Sequence, residues 1–290
     1  MHWFILRKLA VLVATVLVTA MFAYGLLATA PGAVPDSGLL GWLGHALVGD
    51  FGQSSAGGAV GALIAPRLGV TAPLALLAIV LTAIMGFGLG YAAALRPGSI
   101  GDRALGALSS LGAAAPNFWL GMVLVLLFAM VLRWLPSGGF VPWQDNAGAA
   151  LLSLILPALA LALPAAAALA LSVRDALAAA RGSTYVQAAQ ARGLTARAAM
   201  ARHGLRPALL PIIDALVVQC AMIIAGTVIV ETVFYLPGLG RLILDAVGSR
   251  DLAVVRAGLV VLVLLISAGM FLTSLLAVWV DPRLRAGRSE

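Results

Sequence analysis

The 290-residue sequence is 62% hydrophobic and only 10% charged, with a mean hydropathy of +1.08. Soluble domains average about 25% charged residues, so the composition excludes a soluble globular protein and reads as an integral membrane protein. The net charge of +7 does not indicate nucleic acid, because the arginines flank apolar runs instead of lining a groove with interleaved aromatics.

Arg7 and Lys8 precede an apolar run over 9–29, long enough at about 20 residues to cross a bilayer as a helix. A signal peptide cleaved near Leu27-Ala28-Thr29-Ala30 is the competing reading, but the run exceeds the usual core of about 7–15 residues. The segment 30–71 is rich in glycine, proline and serine, and its best apolar piece is too short to span. It reads as an external loop with one or two surface helices. Further spans are expected over 72–95 and 105–132, separated by an Arg96-Pro97-Gly98 turn and by Asp102 and Arg103. Trp134 and Trp143 follow as interfacial aromatics.

An alanine-rich span over 149–173 contains Pro157 and Pro164, which neighbouring helices can accommodate. Spans over 211–230 and 259–280 complete a set of six. Gly86, Gly88 and Gly90 are small residues of the kind that permit close helix contact in lipid, although a compositional bias toward glycine and alanine explains them equally well.

Placing 1–8 in the cytoplasm puts 13 lysines and arginines on that side and 5 on the other: residues 7, 8, 96, 103, six between 174 and 206, 283, 285 and 288 against 67, 133, 241, 250 and 256. Both termini are then cytoplasmic.

Little in the sequence carries bond-making chemistry. The single lysine, Lys8, lies outside any GxxxxGK[ST] loop, so any ATP must be bound by another chain. His2, His45 and His203 are far apart and have no carboxylate at metal-ligand spacing. The lone Cys220 sits in an apolar run and founds no disulfide framework. Ser153, Ser172 and Ser267 have no histidine partner nearby and read as helix-packing hydroxyls. No catalytic, metal-binding or cofactor-binding residue is expected. Ionisable groups are almost absent from the spans; Asp214 and Glu231 lie near the two ends of the fifth, where they can reach an interface. That scarcity argues against an ion-coupled carrier.

The one long hydrophilic island of the C-terminal half is 174–210. Ser183 and Thr184 can open a helix running to about Ala191, Gly193 can supply a left-handed turn, and Thr195 can cap a second short helix. Arg192, Arg197, Arg202 and Arg206 make it a basic knob on one side of the membrane. The link 231–241 follows the fifth span with an acid, two aromatics, a proline and spaced glycines. It reads as a tight external turn or as a segment lining the outer mouth of a pathway.

Two long motifs carry a family resemblance. Thr184-Tyr185-Val186-Gln187-Ala188-Ala189-Gln190-Ala191-Arg192-Gly193-Leu194, with Arg202-His203-Gly204-Leu205-Arg206-Pro207 after it, resembles the cytoplasmic loop of binding-protein-dependent ABC transporter permeases, closest to the peptide and nickel group. Glu231-Thr232-Val233-Phe234-Tyr235-Leu236-Pro237-Gly238-Leu239-Gly240-Arg241 is similarly specific. Arg7-Lys8, Pro31-Gly32, Gly49-Asp50-Phe51-Gly52-Gln53-Ser54, Pro116-Asn117-Phe118-Trp119-Leu120-Gly121 and Asp281-Pro282-Arg283 agree in order along the chain.

The resemblance implies an all-α, six-helix permease domain of the type I ABC importer kind spanning 1–290, in the cell's inner or plasma membrane. Its expected partners are membrane lipid, a homologous second permease, two ATPases that use ATP and magnesium, and an external solute-binding protein, with no nucleic acid. It places Tyr185, Gln187, Ala188, Ala189, Gly193, Leu194, Arg202 and His203 in the ATPase-coupling loop. Glu231, Phe234, Pro237, Gly238 and Gly240 become candidates for the outer mouth. The family's coupling glutamate is absent here, and Gln187 stands before the two alanines. Peptides, nickel chelates, opines and glutathione pass through relatives, so an importer of peptides or related solutes is the leading function. A channel or scaffold working without nucleotide is the alternative.

Overall fold

The computed structural model of the protein describes residues 2–28 and 38–280. Pro31, Gly32, Asp281, Pro282, Arg283 and the arginines at 285 and 288 lie outside the described residues. The helices are α1 (His2–Ala28), α2 (Gly38–Leu47), α3 (Val60–Leu95), α4 (Ile100–Ala114), α5 (Asn117–Leu124), α6 (Ala147–Arg181), α7 (Thr184–Ala191), α8 (Ala196–Ala199), α9 (Leu205–Val233), α10 (Leu239–Gly248) and α11 (Leu252–Val280). A π-helical turn, Val125–Val131, extends α5, and another, Met200–Gly204, joins α8 to α9. Among the described residues five helices are long and apolar enough to cross a membrane, and six spans result if the bent pair α4 and α5 counts as one. The fold is the expected all-α membrane architecture.

α6 is the central helix. It packs on α3 and on α9, while α11 lies against α9, α10 and α1. Glycines fix the α3–α6 approach. A Cβ on Gly86 would meet Leu169 Cδ2 at 2.8 Å, and one on Gly90 would collide with the Ala170 carbonyl and stand 2.6 Å from Val173 Cβ. Residues four apart share one helix face, so these two glycines form a small-residue seam that lets the backbones meet. Gly88 has nothing within 4 Å and takes no part.

Two helices differ in extent from the expected spans. The second spanning helix begins at Val60, well before 72, with Arg67, Pro66 and Pro73 inside it. Pro73 has no N–H to bond the carbonyl of Gly69, four residues earlier. The Trp143 indole donates to that oxygen at 2.8 Å, so a residue read as an interfacial anchor supports a proline site from across the fold. The third span is not one straight helix over 105–132. α4 and α5 meet at 110°. Ala115 is extended (φ −84°, ψ 126°), as a residue preceding proline tends to be, and Pro116 opens α5.

Candidate functional site

The basic island folds as α7, a tight turn and α8. Leu194 N–H donates to the Ala189 carbonyl and Gly193 N–H to that of Gln190, at 3.2 and 2.8 Å. Gly193 has a φ of +94°, where a β-carbon is strained. Thr195 Oγ1 accepts from Ala198 N–H at 3.3 Å and caps α8. Ser183 does not cap α7; its hydroxyl donates backward to the Ala180 carbonyl at 2.5 Å, satisfying the end of α6 instead. The Gln187 amide also donates to the Gly182 carbonyl, at 3.1 Å. A glutamate there has no such proton to give, so glutamine supports this junction in a way an ionised acid cannot.

Val186, Ala189 and Ala199 are fully buried as a small core beneath these helices, with Leu194 packed against it. Gly204 lies 3.2 Å, measured from an added Cβ, from Val186 Cγ2. The sequence-derived site therefore divides. Tyr185, Gln187, Ala188, Gly193, Arg202 and His203 are exposed, whereas Ala189 is internal packing. At the base of the island, Arg174 Nε sits 2.7 Å from Asp102 Oδ1, and Gly98 N–H donates to Asp102 Oδ2 at 2.8 Å. This pair ties the α3–α4 turn to α6, joining two segments read separately in the sequence.

At the opposite end of α9, Glu231 does not reach an interface. It is wholly buried. Its Oε1 accepts the Thr71 hydroxyl at 2.6 Å, and its Oε2 accepts Arg241 N–H at 3.1 Å. Thr71 Oγ1 in turn accepts Leu239 N–H at 2.8 Å. The carboxylate and the hydroxyl thus serve the open N–H groups at the start of α10. Gly238 abuts the carboxylate, and a Cβ on Gly240 would collide with Val228 Cα, so glycine is required at both places for this close approach.

Phe234 is buried elsewhere. Its carbonyl accepts Gly139 N–H at 2.8 Å, and a Cβ on Gly121 would lie 2.9 Å from its ring. Pro237 is half-buried and Tyr235 is exposed, with the Arg241 guanidinium 5.3 Å from the Tyr235 ring centre. Glu231, Gly238 and Gly240 are therefore gathered into one cluster, and Phe234 anchors the link to α5 and the loop before α6. Sequence reasoning missed Thr71, because it placed residue 71 at the end of the external loop 30–71, whereas the helix already covers it.

A second carboxylate, also missed, lies between α10 and α11. Asp251 Oδ2 accepts the Ser54 hydroxyl at 2.5 Å and Ser55 N–H at 3.0 Å, while Oδ1 accepts Val254 N–H at 3.2 Å. Burial opposes its ionisation, but the Ser54 hydroxyl and the Val254 and Ser55 N–H bonds outweigh that and hold the carboxyl below the ordinary aspartate value. The Gly49–Ser54 motif is thereby pinned to the start of α11.

A long central helix flanked by spans, a compact knob after it and a capped turn at the other end of α9 make up a multi-span helical membrane protein. Residues 86–286 match the family described as binding-protein-dependent transport system inner membrane component, and the chain belongs to that family. It is 36% identical over 245 residues to a putative peptide transport system permease protein of Brucella abortus (strain 2308), covering 84% of this chain and 78% of the relative. It is 35% identical over 249 residues to the oligopeptide transport system permease protein AppB of Bacillus subtilis (strain 168), covering 84% and 79%. OppB of Escherichia coli (strain K12), named likewise as an oligopeptide transport permease, is 33% identical over 239 residues, covering 82% and 76%.

Proposed function

We propose that this chain is one half of the membrane pathway of an ATP-driven importer for peptides or related small solutes, nickel chelates among them. A homologous permease supplies the other half, separate ATPases use ATP and magnesium, and an external binding protein delivers the solute. The observation that carries this reading is the knob of α7, Gly193 and α8. It has its own small core, it is braced to α6 by Ser183 and Gln187, and it leaves Tyr185, Gln187, Ala188 and Gly193 exposed. A rigid, exposed two-helix projection at the base of a spanning helix is suited to receive a push from a partner and pass it along α6 and α9. Ala189 and Leu194 serve it from within, and Arg202 and His203 flank it.

In the same reading the membrane is the inner or plasma membrane, with both termini and the knob cytoplasmic. The link 231–241 then belongs to the outer mouth, where Glu231, Phe234, Gly238 and Gly240 hold it from behind and Pro237 stands nearer the surface. Copurification of the chain with its neighbouring gene products is expected to bring two ATPases and to yield solute-dependent ATP hydrolysis. Conductance by the chain alone in vesicles, without nucleotide, would favour the channel reading instead.

Topology has its own test in a Cys220→Ser background. Ser55→Cys is preferable to the adjacent Ser54, whose hydroxyl is buried on Asp251. An impermeant thiol reagent should label Ser55→Cys from outside and Ser183→Cys from inside. Reversed labelling would overturn the orientation.

A further inference from the structure

The 110° bend between α4 and α5 leaves a hollow of about 460 Å³ between those helices, α6 and α9. Ligand sites commonly measure about 300–1,000 Å³. Most of its wall is apolar, including Leu161 of α6 and Met222, Ile223 and Ile229 of α9. Three neutral polar side chains also line it: Ser109, Asn117 and Gln219. Among the described residues none of the three has a side-chain hydrogen-bond partner. Ser109 is buried, and Asn117 and Gln219 are half-buried.

Unpartnered amides among the side chains of spanning helices are costly, because hydrocarbon offers nothing to bond them. The Asn117 amide is also accommodated locally. A Cβ on Gly226 would stand 3.0 Å from Asn117 Nδ2, so the glycine of α9 leaves room for that group. Many secondary transporters build their solute sites around discontinuous helices, and a broken span whose break opens on polar side chains is a comparable arrangement.

We propose that Asn117 and Gln219, with the Ser109 hydroxyl, form a subsite of the pathway that hydrogen-bonds an uncharged main-chain amide of a peptide in transit. The inference rests on the peptide-permease reading above. Each carboxamide offers both a donor and an acceptor, the complement of a peptide C=O and N–H. No charged residue lines the hollow, so it is not built for a terminal ammonium or carboxylate, nor for a metal chelate. The apolar wall takes side chains without selecting among them, while the amides read the backbone that all peptides share. Acyl chains, which have no hydrogen-bonding groups, would leave the amides unpaired.

The test is uptake by the complete complex in proteoliposomes, comparing a tetrapeptide with the same tetrapeptide carrying an N-methyl group on the middle one of its three amides. The binding protein is the same in every arm, so its own preference cancels when variants are compared with wild type. The wild-type complex is expected to prefer the unmethylated peptide, and Asn117→Leu/Gln219→Leu to reduce that preference about tenfold while retaining uptake. Gln219→Met and Asn117→Leu alone should each lose part of it, which keeps the test open if the double variant does not fold. An unchanged preference in folded, transporting variants would overturn the subsite while sparing the permease role. Failure of the wild-type complex to take up either peptide would overturn the peptide reading and the subsite with it. A disulfide from Asn117→Cys to the second permease that leaves peptide uptake intact would mean that the hollow is filled by protein, and would also overturn it.

Discussion

Thr71 and Glu231, 160 residues apart in sequence, share a 2.6 Å hydrogen bond in the buried space where α3, α9 and α10 meet. The same hydroxyl accepts Leu239 N–H, so one threonine joins three segments. Thr71→Val keeps the shape but strands one oxygen of the carboxylate and the Leu239 N–H. A buried group left unsatisfied costs about 1–3 kcal/mol, so the variant should unfold at a lower temperature in detergent. Glu231→Ala should be more severe, because it removes the acceptor of Arg241 N–H as well and empties the space beside Gly238. Stability equal to wild type in both variants would show that the cluster does not hold α10.

The polar support of proline sites gives a second test. Trp143→Phe retains an aromatic ring but leaves the Gly69 carbonyl, already deprived of Pro73, without its donor. The expected loss is again about 1–3 kcal/mol. Restoring the helix bond with Pro73→Ala should recover part of it, and only in the Trp143→Phe background. Equal effects of Pro73→Ala in both backgrounds would disconnect the two residues.

Asp251 leads to a pH dependence. Its folded value lies below the unfolded reference of about 3.9, so the stability it contributes is complete above that value and is lost as pH falls through the folded one. Protection of the segment 50–59 against proteolysis should therefore persist from neutral pH to about pH 4 and weaken below it. Asp251→Asn should lower protection at neutral pH and remove this part of the acid response. Ser54→Ala should do so in part, having deleted the hydroxyl that favours the charged form. An Asp251→Asn profile that parallels wild type at every pH would rule out this carboxylate as the link.

The helical class, the spanning helices and the α7–Gly193–α8 knob were legible because apolar run length, caps and glycine turns are local signals. The positions of Gly86 and Gly90 against α6 were legible only as small residues, since the partner helix decides which glycines are needed and leaves Gly88 unused. The break at Ala115–Pro116 had a local cause in its proline, but an apolar window passes over it. Three contacts had no local signature: Thr71 with Glu231, Asp251 with Ser54, and Trp143 with Gly69. Each joins residues from distant parts of the chain, and a carboxylate near the end of a span reads as interfacial until its donors are known. Ala189, two residues after Gln187, is placed with it in the coupling loop by the resemblance. The 3.6-residue helical period turns it inward to the small core with Val186 and Ala199.

Gly193 separates a backbone role from a docking role by the order in which substitutions harm the protein. A Cβ at this position meets nothing within 4 Å inside the chain, so no internal clash distinguishes one side chain from another. What remains within the chain is the φ of +94°. Residues with a β-carbon resist positive φ at a cost of about 1–2 kcal/mol, and aspartate and asparagine adopt it more readily than alanine does. If the turn alone mattered, Gly193→Asp would be the milder change and Gly193→Ala the more harmful. If an ATPase closes over this exposed turn, the order reverses, because a buried carboxylate without a partner carries a desolvation cost that a methyl group does not. In the reconstituted complex we expect Gly193→Ala to retain most uptake. Gly193→Asp should insert normally yet lose either ATPase attachment or the link between hydrolysis and transport. Gly193→Asn, uncharged and tolerant of the same backbone, should fall between them. Wild-type uptake and hydrolysis by a fully assembled Gly193→Asp complex would remove the turn from the coupling surface and leave it a helix terminus.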